Sequence, residues 1–190
     1  MIELKDGDPF IYMKVGVHAR EDLKHIIARK REEIRNAGGA FWGYGGNTCH
    51  PLNAVQPFLR DETERGVAVH LLMQEIESHH YADQVRAESY SEDGAIWAPV
   101  PEPINVWGSR YALVIDSLDE VDLSVALSDT RVGIGRFQGS PGSEYVRGRV
   151  DKACLVYAPA GAVTQDVQRI QLKLAAKLVA PYAVMLKNPS

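Results

Sequence analysis

Hydrophobic positions in the first part of the chain follow first the spacing of a strand and then that of a helix. The run from Phe10 to His18 is rich in β-branched and aromatic residues, which predicts a strand. From about Arg20 to Ala37 the apolar side chains recur at helical spacing and two glycines follow. This pattern predicts an amphipathic helix that ends before the glycines.

The next segments predict a short strand, a short helix and a central strand. Residues 40–51 begin with aromatic residues and then break into glycines before His50 and Pro51. A short helix is expected near Asn53, where Pro57 either falls in the first turn or delays the start. Residues 66–76 are apolar at both alternating sets of positions, which indicates a strand buried on two sides at the centre of a sheet.

The second half of the chain predicts further strands and a last helix. Residues 77–109 show weak periodicity and many prolines, which favours a long loop, whereas residues 111–116 and 121–128 read as strands. Residues 131–137 and 144–157 are expected to form two strands of a hairpin. Thr164 is expected to cap a helix that reaches about Val179 before Pro181.

This order of elements does not repeat a strand–helix–strand unit, so we expect an α+β fold. The predicted architecture is a mixed, mostly antiparallel curled sheet or half-closed barrel with about three helices. A length of 190 residues fits a single globular domain spanning residues 1–190. We expect one contiguous core, formed by Leu23, Ile27, Ile34, Val69, Leu71, Leu113, Ile115, Leu123, Val125, Val150, Leu155 and Leu174.

The amino-acid composition excludes several classes of protein. Apolar residues make up 45% and charged residues 24%, which is ordinary for a globular domain and excludes disordered, collagen-like and coiled-coil chains. The two cysteines, Cys49 and Cys154, form no closely spaced pair, and the first residues lack the apolar run of a signal peptide. We therefore expect a cytoplasmic protein with no membrane association.

Charge is segregated along the chain. Residues 60–129 hold fifteen acidic and four basic residues, whereas residues 14–37 hold seven basic and four acidic ones. Residues 131–152 are basic again, with five basic residues against two acidic. Because the whole chain carries a net charge of -4, any binding of phosphate groups must come from a local patch built by the basic blocks.

Aromatic residues and glycines suggest a binding site for a flat ligand. Trp42 and Tyr44 share one face of the predicted short strand, and the glycines that follow them precede a predicted helix, a setting in which backbone N–H groups can hold a phosphate. The alternative is that these aromatic residues are core and the glycines a tight turn. The candidate ligand-binding residues of this group are Trp42, Tyr44, Gly45, Gly46, Trp97 and Trp107.

The predicted second strand of the hairpin adds an anion-binding hypothesis. Arg147, Arg149 and Asp151 would share one face of that strand, with the arginines about 7 Å apart. This spacing suits successive phosphates, or a carboxylate with Asp151 as orienter. The alternative is a solvated face of cross-strand ion pairs.

Cys49 and His50 are the candidate catalytic residues. A thiolate nucleophile with an imidazole base is a common enzyme arrangement, although a distant histidine would reach Cys49 more easily than its neighbour if the segment is a strand. The other histidines and acids have no spacing that selects a metal, so we predict neither a metal nor a cofactor.

We therefore predict a domain that binds a nucleotide-like or nucleic-acid ligand through an aromatic stacking face and an Arg-bearing strand. One alternative is a cysteine- or histidine-dependent enzyme acting on a small polar substrate. Another is a partner-binding or oligomerisation module that uses the C-terminal helix and residues 182–186, which would make the chain a homo-oligomer.

Overall fold

A computed structural model describes residues 1–45, 50–147, 150–161 and 168–190, with the backbone alone for residues 78–80. Along these residues the helices are α1 (Leu23–Ala37), α2 (Leu52–Glu64) and α3 (Gly142–Tyr145). The strands are β1 (Pro9–His18), β2 (Ala40–Gly43), β3 (His70–His80), β4 (Ser89–Ser91), β5 (Ala98–Pro99), β6 (Tyr111–Ile115), β7 (Asp119–Ala126), β8 (Thr130–Val132), β9 (Lys152–Tyr157) and β10 (Arg169–Lys187). None of these described helices is long and apolar enough to cross a membrane.

All ten described strands belong to one sheet, whose main path runs β2-β6-β10-β3-β1-β9-β8. The central position predicted for β3 is confirmed, since it lies between β10 and β1. The β1–β3 pair is parallel, and the other pairings in the described part of the chain are antiparallel. The predicted α+β class with a mixed, mostly antiparallel sheet is confirmed, and the sheet is curled and not closed.

Helix α1 has clear signals at both ends. The Asp22 carboxylate accepts a hydrogen bond from the His25 N–H at 2.9 Å, which caps the first turn. Ala19 and Arg20 have positive φ, so the helix begins at Leu23 and not at Arg20. At the other end Gly38 adopts the left-handed conformation that the predicted glycine stop requires.

Helix α2 continues past Pro57, which corrects the expectation that this proline would confine the helix to a first turn or delay its start. Proline removes one backbone hydrogen bond from a helix. Leu52, Val55 and Leu59 are buried on one face of α2, and this burial offsets the loss. The Gln56 amide also donates to backbone carbonyls of β10, at 2.9 Å in one case, which fastens the helix to the sheet.

The sheet separates the predicted core residues into two clusters, one on each face. Alternate residues of β1 and β3 point to opposite faces, so Leu71 packs under α1 and α2 whereas Leu72 packs on the other face. Of the predicted core residues, Leu23, Val69, Leu71, Leu113, Ile115 and Leu174 are buried on the helical face, with Ile27 and Ile34 packed against them. Val125, Leu123 and Leu155 lie on the other face. Val150 is half-buried and belongs to neither of these two clusters.

The predicted C-terminal helix is wrong from residue 169 onward, because Arg169–Lys187 is the long strand β10. Ile170, Leu172 and Leu174 alternate with polar residues, and this period of two competes with the helical spacing of Ile170, Leu174 and Leu178. The extended conformation is favoured over the helix because it lets residues 169–187 pair with β3, β4, β6 and β7. The expected cap at Thr164 lies outside the described residues.

Residues 182–186 are consequently part of the sheet and do not extend a helix. Ala183 pairs with Leu113 of β6, and Leu186 pairs with Tyr90 of β4. The helical docking surface expected there is therefore absent, and self-association remains an untested prediction.

The predicted hairpin is correct in its pairing and wrong in its strand lengths. β8 and β9 are antiparallel, with Val132 opposite Leu155, but β8 ends at Val132 and β9 begins only at Lys152. Between them lie glycine turns and α3, which begins directly after Pro141. Arg147 therefore follows a helix and Asp151 precedes a strand, so they do not share the face of one strand.

The proline-rich segment before β6 is more ordered than a long loop. It contains β4 and β5, and the Arg86 guanidinium donates to the carbonyls of Ile104 at 2.9 Å and Pro101 at 2.9 Å. One arginine thus supplies the hydrogen bonds that the prolines cannot donate. Residues 100–106 consequently pack as a third buried cluster against β2, β6 and β10.

Leu71→Ala should destabilise the protein by about 2 to 5 kcal/mol, since it leaves a cavity in the central strand. Leu71 is fully buried. The measurement is chemical denaturation of both proteins. Ile96→Ala is the matched control, because Ile96 is 78% exposed and should change stability by less than about 0.5 kcal/mol. Equal effects of the two variants would contradict the central position of β3.

Candidate functional site

A cavity of about 310 Å³ lies on the helical face of the sheet, between α1, β1, β2 and residues 105–109. Its volume is at the lower end of the range of about 300 to 1,000 Å³ that is usual for small-molecule sites. The walls combine apolar and charged groups, contributed by Met13–His18, Leu23, Ile26, Arg29, Lys30, Trp42, Gly43, Gly45, Ile76, Asn105–Ser109, Asp151 and Lys152.

Two tryptophans form part of these walls. Trp42 on β2 is almost fully buried, so one part of its ring is core and another borders the cavity. Trp107 is half-buried on the opposite segment, and the Arg29 guanidinium lies 4.3 Å from its ring centroid. The cation–π contact fixes the orientation of the Trp107 ring before any ligand enters.

Three charged side chains of α1 hold the backbone of Asn105. The Asn105 carbonyl accepts hydrogen bonds from Arg29 Nη1 at 2.7 Å and from Lys30 Nζ at 2.6 Å. Its N–H donates to Glu33 Oε1 at 3.1 Å. We call Arg29, Lys30 and Glu33 with the Asn105 backbone the Asn105 clamp. It attaches residues 105–109 to the helix and thereby sets the width of the cavity.

Glu21, which is outside the Asn105 clamp, balances the charges of the clamp together with Glu33. Glu33 pairs with Lys30 through Oε2 and with Arg29 through Oε1, both at 2.8 Å. Arg29 also forms a two-pronged pair with Glu21, at 2.6 and 3.1 Å. Two acids thus neutralise two bases, which is the condition under which buried charges are tolerated.

Lys30 is the most buried base in this group, with a side chain 4% exposed. Burial lowers the pKa of Lys30 to about 8, since Glu33 offsets only part of the desolvation of the ammonium group. A primary amine on the cavity wall is therefore partly neutral near physiological pH.

Two further lysines line the cavity where β9 meets β1. Lys14 Nζ lies 3.8 Å from Asp151 Oδ1, and the Lys14 N–H donates to the Asp151 carbonyl at 2.8 Å. Lys152 Nζ lies 5.5 Å from the ring centroid of Tyr44. Lys14 and Lys152 give this end of the cavity two positive charges against the one carboxylate of Asp151.

Four of the predicted site residues border the cavity: Trp42, Gly45, Trp107 and Asp151. Four other described ones do not, namely Tyr44, Trp97, His50 and Arg147. Gly46, Cys49 and Arg149 lie outside the described residues. The structure thus brings together part of the aromatic group with Asp151, but not with Arg147.

The residues left outside the cavity have other contacts. Trp97 is 40% exposed and its indole N–H donates to the Gly94 carbonyl at 3.2 Å. Arg147 is exposed and its Nε donates to the Ser143 carbonyl at 3.0 Å. Tyr44 is buried beside Tyr111, with ring centroids 5.7 Å apart, which agrees with the alternative that it is core.

Gly45 is needed for packing. A Cβ atom at this position would collide with the ring of Tyr111, and the Gly45 N–H donates to the Tyr111 carbonyl at 2.9 Å. The close approach of the two backbones explains the glycine without a phosphate, as the turn alternative proposed.

His50 is held by tyrosines. Its Nε2 lies 3.1 Å from the Tyr145 hydroxyl, the two rings are stacked, and its carbonyl accepts from the Tyr111 hydroxyl at 2.5 Å. Burial lowers the pKa of His50, so the neutral form is favoured. Among the described residues no group of three or more histidine, cysteine, aspartate and glutamate side chains could hold a metal.

Sequence reasoning missed the bases that line the cavity. Lys30 had a detectable signal: it lies seven residues after Leu23 and four before Ile34, so a helical wheel puts it inside the apolar stripe of α1. A charged residue there must be buried and paired. Lys14 and Lys152 carried no such signal, because only the pairing of β1 with β9 brings them together.

No protein-family model matches the chain, and no curated protein or solved structure is significantly similar to it. The function is therefore inferred from the geometry of the site alone.

Glu33→Ala should destabilise the protein by about 3 to 5 kcal/mol, because it leaves the buried Lys30 and Arg29 without their shared counter-ion. Asp122→Ala is the matched control, since Asp122 pairs with Lys173 at 2.6 Å on the surface. Loss of that exposed pair should cost less than about 1 kcal/mol. Denaturant titration of both variants decides, and a similar small loss in each would contradict the role of the Asn105 clamp.

Proposed function

We propose that the protein binds a small, planar, negatively charged ligand of the nucleotide class in the cavity between α1, β1 and β2. The observation that carries the proposal is the combination of tryptophan rings and basic side chains on the walls of one cavity. Flat rings stack on aromatic side chains, and an anion is attracted by lysines and arginines.

The size of the cavity and the preorganisation of its walls favour a small molecule over a polymer as the ligand. Its volume of about 310 Å³ is enough for one small ligand, and residues 105–109 form one of its walls. The Asn105 clamp and the Arg29–Trp107 contact hold this wall in place. Preorganised walls reduce the entropy that binding would otherwise cost.

The charge of the cavity supports an anion. Arg29 and Lys30 are neutralised by Glu21 and Glu33, so the attraction comes from Lys14 and Lys152 against Asp151. This local surplus exists in a chain whose net charge is -4. In the proposal, Lys14 in the middle of β1 and Lys152 at the start of β9 take the place of the arginines predicted to hold phosphate.

Trp107→Ala should weaken binding of AMP by about 1 to 3 kcal/mol, the usual contribution of one base–aromatic stack. Isothermal titration calorimetry at low salt is the measurement. Trp97→Ala is the matched control, because Trp97 lies outside the cavity and should leave the affinity unchanged. Thermal melts of both variants must stay near the parent, since Trp107 also contacts Arg29.

Two outcomes would overturn this proposal. One is an equal loss of affinity in Trp97→Ala and Trp107→Ala, because the cavity would then not be the site. The other is the absence of measurable affinity of the parent protein for AMP, GMP, CMP and UMP at low salt, where attraction of the phosphate is strongest.

Asp151→Asn should tighten the binding of the same nucleotides a few-fold. The change removes the carboxylate that faces Lys14 and keeps the size of the side chain. Asp122→Asn, an equal change of charge outside the cavity, should have no effect. The difference between the two variants should shrink as salt is added, because salt screens partly exposed charges. Weaker binding by Asp151→Asn would mean that Asp151 itself contacts the ligand.

A further inference from the structure

Lys30 is one of the residues that line the cavity, and the proposed binding function makes no use of its primary amine. Its side chain is almost completely buried, and the other α1 residues on the cavity wall are Leu23, Ile26 and Arg29, the last of which is paired with Glu21 and Glu33. Burying the ammonium group of a lysine costs free energy, which favours the neutral amine. A neutral lysine amine is a nucleophile toward carbonyl carbon.

We propose that Lys30 forms an imine with a small carbonyl compound that carries an anionic group and enters this cavity. The Lys30 ammonium first gives one proton to solvent. The Nζ lone pair then adds to the carbonyl carbon, the carbon–oxygen bond breaks, and the oxygen leaves as water with the two remaining protons of the amine. The imine nitrogen takes one proton back from solvent, so the ammonium and the carbonyl compound give a protonated imine and water. No oxidant or reductant is needed. The inference rests on the proposed function only in requiring that the cavity admits a small anionic ligand.

The hydrogen bonds around Lys30 fit this change. An amine that becomes a protonated imine keeps one N–H, so it gives up a hydrogen bond that the ammonium group made. The Asn105 carbonyl keeps its bond from Arg29 Nη1 at 2.7 Å, so it is not left unsatisfied. The remaining N–H can stay on Glu33 Oε2, which already lies 2.8 Å from Lys30 Nζ.

Glu33 is also the counter-ion that a protonated imine requires. A cation in a buried site is stabilised by a carboxylate at hydrogen-bond distance. Arg29 and the Asn105 N–H hold the other oxygen of Glu33, at 2.8 and 3.1 Å, so the carboxylate is fixed before the reaction. Glu33 is therefore a positioning residue for the imine.

The neutral amine needed for the first step is available. Burial lowers the pKa of Lys30 to about 8, whereas an exposed lysine has a pKa of about 10.4. The anionic group of the carbonyl compound would lie toward Lys14 and Lys152, at the other charged end of the cavity.

The test uses pyridoxal 5′-phosphate as the probe, an aromatic aldehyde with a phosphate. The protein is incubated with a stoichiometric amount of probe, the imine is reduced with borohydride, and the labelled lysines are found by peptide mass mapping. We expect Lys30 to be labelled before Lys24, which is exposed on the same helix. The rate at Lys30 should rise with an apparent midpoint near pH 8, following its lowered pKa.

Variants separate the reactive amine from a merely structural charge. Lys30→Arg keeps the cation and should lose the labelled peptide and the visible absorbance of the imine, whereas Lys24→Arg should keep both. Glu33→Gln should shift the pH at which the imine loses its proton to a lower value, since the counter-ion is gone. Pyridoxal without the phosphate should label Lys30 more slowly.

Labelling spread evenly over the exposed lysines, or unchanged absorbance in Lys30→Arg, would overturn the inference. If Lys30→Arg does not fold, the labelling order and pH profile of the parent protein still decide. Binding of AMP is measured separately, so a protein that binds AMP but does not label Lys30 retains the proposed function and loses only the imine.

Discussion

The Asn105 clamp is the interaction on which the candidate site depends. Helix α1 and residues 105–109 are far apart in sequence, and the backbone of Asn105 is joined to the helix through both its N–H and its carbonyl. These bonds act with the contact of His18 Nε2 to the Trp107 carbonyl at 3.0 Å and the bridge between Trp107 and Arg86 to position the segment that carries Trp107. The width of the cavity and the orientation of one aromatic wall both follow from these contacts.

Burial of the charged groups of the Asn105 clamp costs desolvation free energy, which their ion pairs and hydrogen bonds must offset. Burying a lysine and a glutamate is unfavourable unless each is paired and hydrogen-bonded, and a hydrophobic replacement of such a pair is often as stable. Here the ion pairs hold a loop whose prolines supply few hydrogen bonds, together with Arg86, which donates to the carbonyls of the same loop. Charged groups therefore order a segment that apolar packing alone would leave less defined.

The same arrangement connects the proposed function with the proposed chemistry. A neutral network keeps Arg29 and Lys30 from attracting an anion strongly, so that attraction falls to Lys14 and Lys152 at the other end of the cavity. An anionic ligand would thus be oriented with its charge away from Lys30. That orientation presents the uncharged part of the ligand to the amine, which is the geometry that imine formation needs.

Local periodicity, the glycine stop and composition were enough to predict the fold class, the C-terminal end of α1 and the central position of β3. The prediction for residues 169–187 was wrong because Ile170 and Leu174 fit both the period of two and the helical spacing, and only pairing with other strands decides between them. The strand predicted at Arg147 is wrong for a similar reason, since the spacing of the residues around Arg147 gives no sign of the turns before α3. Only the tertiary structure forms the cavity. Lys14, Lys30, Trp107 and Asp151 line one cavity because β1 pairs with β9 and because α1 binds the backbone of Asn105. Contacts between segments so far apart in the chain do not show in the local residue pattern of either segment.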